Sequence, residues 1–182
     1  MAADSVSEPW RSFLLDLDNQ LEGETELHCL GGFIVAEYYG LTRPTGDIDV
    51  IEAVGAASLK TLAQVAGKGS DLEKTHHVYL HIVTVATVPD NYEARLIDVY
   101  PDTFDKLRIK AFEKHDLVLA KLTRNNDRDR EDVRRLAGGP GLDPEILGER
   151  YATELRFQST NVGRDDLTLS LWIEMIKEIQ HS

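Results

Sequence analysis

The sequence predicts an α/β fold of the α+β kind: a mixed sheet flanked by helices, with further helices at the C-terminal end. Three observations carry that expectation. Short apolar or β-branched runs, such as residues 27–30 and 78–87, alternate with stretches of helical apolar spacing. One of the predicted strands opens on Asp47-Ile48-Asp49, polar and apolar by turns. Everything beyond Gly138-Gly139-Pro140-Gly141 reads as helix.

The elements follow in order. Trp10, Phe13, Leu14, Leu17 and Leu21 recur at helical spacing, which predicts a helix over 10–21. Residues 26–31 read as a buried strand, and Gly31-Gly32 lets the backbone turn tightly into a helix over about 32–40 that Gly40 closes. The loop 41–46 leads into a strand over 47–52, and Ala-rich residues 56–66 read as a helix. The alternating run Val78–Thr87 predicts a long strand, and residues 96–100 and 107–112 flank a Pro-Asp-Thr-Phe-Asp turn as a hairpin. The order is thus βα-like at first and antiparallel later. Residues 114–137 read as helical with a break at Asn125-Asn126, and two more helices follow over 144–157 and 165–179. Asp165-Asp166 lies in the first turn of the last, which favours the helix dipole. The glycine-rich stretch at 138 is the best linker, so the expected division is a core over 1–137 and a C-terminal helical appendage over 138–182 packing on it.

Composition narrows the function classes. With 182 residues and 42% apolar content, the chain can bury a proper core. A single cysteine, Cys29, excludes an internal disulfide and fits a reducing cytoplasm. No basic-then-apolar leader and no membrane-length apolar run is present, so the expectation is a soluble cytoplasmic protein. The net charge of −12 argues against general nucleic-acid binding. Yet residues 104–135 hold ten of the twenty Lys and Arg against seven acids, a local +3 that leaves about −15 for the rest. That window either accepts a nucleotide or RNA end or is an ordinary solvated helix surface.

The chemistry concentrates in residues 31–49. A glycine turn at a helix start offers free backbone N–H groups to a phosphate, here from Gly31 and Gly32. In a strand, Asp47 and Asp49 point the same way while Ile48 and Val50 point into the core. Two like charges side by side call for a neutralising, oxygen-loving cation such as Mg²⁺. A phosphate cradle beside a carboxylate pair is what phosphoryl or nucleotidyl transfer needs.

Gly31-Gly32 followed by Arg43-x-Thr45-x-Asp47-x-Asp49 resembles the signature of the minimal nucleotidyltransferases of the DNA polymerase β superfamily. The likeness is closer to bacterial branches that include abortive-infection and toxin–antitoxin toxins. A second stretch, Lys121-Leu122 followed by Arg128-Asp129-x-x-Asp132-Val133, is similar to a pattern of those branches, so the resemblance spans roughly residues 26–136. Many superfamily members carry Gly-Ser where this chain has Gly31-Gly32, which removes a hydroxyl from the phosphate cradle.

The resemblance implies a polymerase-β-type nucleotidyltransferase core. Asp47 and Asp49 would hold Mg²⁺, with Mn²⁺ as a substitute, and Asp98 on a neighbouring strand would be the third metal ligand. Gly31, Gly32, Arg43, Thr45 and Lys121 would contact the NTP, and Asp129 is the rival of Asp98 for the further catalytic acid. Each has a plainer reading as well. Asp98 is a solvent-facing strand residue, Arg43 braces its loop through Asp47, and Thr45 is a turn residue. Lys121 is a solvated helix lysine, and Asp129 and Asp132, three apart on one helix face, pair with Arg128 or Arg135. His76, His77 and His81 look like a cluster, but on a strand His76 opposes the other two, and a structural role is the better expectation. Tyr92 and Arg95 read as bracing at the core edge.

The expected activity is Mg²⁺-dependent transfer of NMP from an NTP to a hydroxyl acceptor, an RNA 3′ end or a protein. The resemblance adds a toxin role with a cognate antitoxin protein. The alternative is a module that keeps the fold for partner binding without catalysis.

Overall fold

A computed structural model describes residues 6–42 and 44–182. The chain divides into two compact units, the first built from residues 1–84 and 96–112, the second from 85–95 and 113–182. The Gly138–Gly141 stretch therefore lies inside the second unit rather than at its border.

The first unit carries a five-stranded mixed sheet in the order β3-β2-β1-β5-β4, where β1 is Thr25–Leu30, β2 Asp47–Gly55, β3 Tyr79–Ile82, β4 Ile97–Val99 and β5 Leu107–Ala111. β1 runs antiparallel to β2 and parallel to β5; β2 and β3 are parallel; β4 and β5 form the expected antiparallel hairpin. β1 is therefore central, and its residues are almost wholly buried, as an apolar run covered on both faces should be. The expected long strand over 78–87 is four residues long in β3, because β2 offers it a partner only over Asp47–Val50.

Helices of the same unit accompany this sheet. α1 (Trp10–Gln20) buries Trp10, Phe13, Leu14 and Leu17 on one stripe, and its Asp18 carboxylate accepts the backbone N–H groups of Asp105, Lys106 and Leu107 at 2.7–3.1 Å. That buried carboxylate fixes where β5 begins. α3 (Leu59–Ala66) starts at the Ser58 cap, later than the expected position 56. α4 (Asp71–His76) was not expected; its signal was Ser70 with Glu73 three residues on, and Ser70 Oγ accepts the Glu73 N–H at 3.1 Å. Between β1 and β2 the helix start α2 (Gly31–Phe33) runs on as a wider π turn over Ile34–Tyr38.

The second unit is helical. α5 (Lys114–Leu119) and α6 (Asp127–Ala137) replace the single expected helix, and the break falls at the expected asparagines, where Asn126 caps α6. α7 (Pro144–Arg150) continues through a π turn to Leu155, and α8 (Val162–Gln180) closes the chain. Among the described residues no helix is long and apolar enough to cross a membrane.

Candidate active site

The site starts from the register of two parallel strands. Asp47 lies beside Tyr79 and Asp49 beside His81, so alternate residues of β2 and β3 form a two-by-two array on one face. The intervening Ile48, Val50 and Leu80 are buried on the other face, as the alternation in Asp47–Val50 predicts. Oxygen atoms of Asp47 and Asp49 and a ring nitrogen of His81 all lie within 4.8 Å of one another.

Each member of the array is held. His81 Nδ1 is 2.7 Å from Asp49 Oδ1. The Tyr79 hydroxyl donates to Asp47 Oδ2 at 3.5 Å, and Thr45 Oγ1 donates to the Asp47 carbonyl at 3.2 Å and lies 3.4 Å from its Oδ1. Burial, together with the charges of Asp47 and Asp49, raises the Tyr79 pKa, so the phenol stays a donor. Among the described residues no Lys or Arg forms an ion pair with Asp47 or Asp49.

Gly31 closes the array from β1. Its φ of +81° is left-handed, and a Cβ placed there would stand 1.9 Å from Asp49 Oδ2. No side chain fits, so the carboxylate rests directly against the glycine turn. Leu30, the residue before it, pairs with Asp49 across the ladder. A bulge lies just beyond, where Ile51 is the extra residue of β2 between His28↔Glu52 and Cys29↔Val50. Cys29, buried beside Asp49, has its thiol pKa pushed up by burial first and by that charge second, which excludes it as a nucleophile.

The other expected site residues are held by other partners. Asp98 is on the edge strand β4, three strands from β2, or about 14 Å at the usual interstrand spacing. It is half exposed and pairs with Lys110 at 3.0 Å, so the expectation of a third ligand there is corrected: the strands beside β2 are β1 and β3, and β3 brings His81 next to Asp49. Lys121 is not a solvated helix lysine. It sits in the second unit, 4% exposed, with its ammonium 2.8 Å from Asp132 and 3.7 Å from Asp129. Asp129 is fully buried as the α6 capping-box residue, accepting the Asn126 N–H at 3.2 Å and both Arg124 contacts at 2.6–2.8 Å. Burial raises its pKa, but Arg124 and Lys121 outweigh that and the net shift is downward, so Asp129 stays charged and occupied. In this setting it serves the start of α6 and the charges of Arg124 and Lys121. Arg43 lies outside the described residues.

Of the three histidines, His76 ends α4 and contacts Asp16 at 2.8 Å, and His77 is a left-handed cap. Only His81 is on a strand, where it joins Asp47 and Asp49 in a group that could hold a metal ion. The signal that would have found it is Tyr79-x-His81, the same alternation as Asp47-x-Asp49. Lys68 was also missed. It is exposed on the Gly67–Ser70 turn, with its ammonium 5.9 Å from the centre of the Tyr79 ring.

Residues 14–180 match a family described as Nucleotidyltransferase of unknown function (DUF6036). The chain belongs to this nucleotidyltransferase family. The five-stranded mixed sheet with its flanking helices agrees with such a fold, and the Asp47–Asp49–His81 array supplies the acidic cluster where such an enzyme can take a metal ion. No curated protein and no solved structure matches the chain.

Proposed function

We propose that this nucleotidyltransferase transfers NMP from an NTP to a hydroxyl acceptor at the Asp47–Asp49–His81 array, with a divalent cation, Mg²⁺ or Mn²⁺, held by those three side chains. The observation that carries the reading is the array itself: two carboxylates and an imidazole within 4.8 Å, with no basic side chain among the described residues to neutralise them. Bound there, a divalent cation supplies Lewis-acid polarisation of phosphate oxygens and makes an acceptor hydroxyl easier to deprotonate.

The protein's own residues do the rest. Thr45 and Tyr79 orient the Asp47 carboxylate through their hydroxyls. Gly31 leaves room for Asp49 and, with Gly32, offers backbone N–H groups to the phosphates. Exposed Lys68 stands at the Tyr79 edge of the array, where an ammonium can meet triphosphate or acceptor phosphates. Arg43, two residues before Thr45 in the sequence, is assigned to the triphosphate. In the reaction the acceptor oxygen bonds to the α-phosphorus, the bond to the bridging oxygen breaks, pyrophosphate leaves, and a carboxylate of the pair takes the acceptor proton. Lys121 and Asp129 are assigned to holding the second unit together, and Asp98 to the sheet edge.

The acceptor is an RNA 3′ end or a protein hydroxyl, and the biological setting is a cytoplasmic toxin of a toxin–antitoxin or phage-defence system, neutralised by a cognate antitoxin. The motif likeness over residues 31–49 and 121–133 supports this setting. The test incubates the protein with each α-labelled NTP, with MgCl₂ or MnCl₂, and with total RNA or cell lysate. Label appearing in RNA or protein with one NTP, and lost in Asp47→Asn, is the expected result. No label from any NTP with either cation would overturn the transfer reading.

A further inference from the structure

The position beside Asp49 on the strand next to β2 is where a third carboxylate would complete an all-oxygen site for Mg²⁺, and this chain places an imidazole there. We propose that His81 makes the site selective for a cation that accepts nitrogen, Mn²⁺, over Mg²⁺. The inference rests on the reading of the array as the metal site and goes beyond it by naming the ion.

Three observations support it. His81 is fixed in register with Asp49, not free to swing in from a loop, and its Nδ1 is 2.7 Å from Asp49 Oδ1. Its side chain is about half exposed, so burial does not bar the ring from ligating. Two other carboxylates are committed elsewhere: Asp98 is three strands away on Lys110, and Glu73 caps the turn at Gly69 with its Oε2 3.0 Å from that N–H.

The chemistry then decides. Mg²⁺ requires near-ideal octahedral oxygen ligation and gives up water reluctantly, so exchanging an oxygen for an imidazole weakens its hold. Imidazole suits first-row transition ions, while two carboxylates keep the site hard. Mn²⁺ is the first-row ion that shares the carboxylate preference of Mg²⁺, and as a transition ion it tolerates an imidazole nitrogen beside those oxygens better than Mg²⁺ does. Asp49 contributes in a second way, because its contact with Nδ1 fixes the ring and sets which nitrogen carries a proton when no cation is bound.

The test titrates the full chain with MnCl₂ and, in competition, with MgCl₂, following bound Mn²⁺ by electron paramagnetic resonance. Wild type, His81→Asp, His81→Ala and the Asp47→Asn/Asp49→Asn double variant are compared. Electron spin-echo modulation reads whether a nitrogen is bound to the Mn²⁺. The expected result is a ¹⁴N modulation in wild type that disappears in both His81 variants. His81→Asp should lower the ratio of Mn²⁺ to Mg²⁺ affinity by about tenfold, by restoring an oxygen donor. No nitrogen modulation in the Mn²⁺-loaded wild type, or an unchanged ratio in His81→Asp, would overturn the inference. In either of those cases, loss of Mn²⁺ binding in the double aspartate variant leaves the site standing. Wild-type Mn²⁺ binding by the double variant removes the site and the inference together.

Discussion

The molecule holds two clusters of aspartates, and their surroundings are opposite. Asp47 and Asp49 in the first unit are partly exposed, lie within ligand distance of each other, and meet no Lys or Arg among the described residues. Asp129 and Asp132 in the second unit are buried and share Lys121, with Arg124 on Asp129 as well. Both pairs sit in motifs that resemble nucleotidyltransferase signatures. The difference teaches that motif spacing alone does not separate chemistry from structure. A buried carboxylate with its cation already in place has little left to give a substrate. A pair of carboxylates that meets no Lys or Arg among the described residues can still take a cation.

The comparison breaks first under Asp49→Asn. Transfer should fall more than about a hundredfold, since metal-assisted charge stabilisation supplies several kcal/mol. The metal-free melting temperature should hold or rise as one like charge leaves the pair. Transfer assays and thermal melts on the same preparation check both. Lys121→Ala should behave the other way round. It takes a buried cation away from two buried carboxylates, so it should cost about 3–5 kcal/mol in urea denaturation. A stable Lys121→Ala with weakened NTP binding would instead return that lysine to the substrate.

Gly31→Ala comes next, expected to cost about 1–2 kcal/mol from its left-handed backbone alone. The new methyl group must also displace the Asp49 carboxylate. Transfer should therefore suffer more than stability, and rate against melting temperature reads this.

A pH experiment sharpens the picture of the second unit. Burial works against the charge of Glu113, but hydrogen bonds from His115 and Arg150 win and bring its pKa down from 4.5 to about 2. A depressed carboxylate stabilises the fold fully above its unfolded value and loses that contribution as pH falls through the folded one. Stability should thus drop between about pH 4.5 and pH 2, and Glu113→Gln should flatten that slope in urea melts run across the window. The smallest effect belongs to Asp98→Ala. It removes a half-exposed pair with Lys110, worth less than about 1 kcal/mol, and should leave transfer unchanged.

Much of this was legible in the chain, for physical reasons that differ by residue. Asp47-Ile48-Asp49-Val50 announced its strand and its two faces because a period of two is local. Trp10 to Leu17 announced α1 in the same way, and Asn126 announced the break between α5 and α6 through its capping chemistry. The third member of the candidate metal group was not legible, because it depends on which strands lie next to β2. Asp98 and His81 both sit in short β-branched runs, and only the sheet order, with β3 beside β2 and β4 at the far edge, decides between them. The burial of Lys121 was not legible for a related reason. Its burial comes from Asp129 and Asp132 on α6, a tertiary pairing that helical periodicity cannot reveal.

Nucleotide binding under controlled cation tests the central claim most directly. Isothermal titration of the wild-type chain with each NTP, with and without MnCl₂ or MgCl₂, is compared with Asp47→Asn/Asp49→Asn and with Asp129→Asn. The account predicts binding that needs a divalent cation, is lost in the first variant, and survives in Asp129→Asn once that variant is shown to be folded. Cation-dependent binding that persists without Asp47 and Asp49 and vanishes in a folded Asp129→Asn would contradict it, placing the site on α6 instead of on β2 and β3.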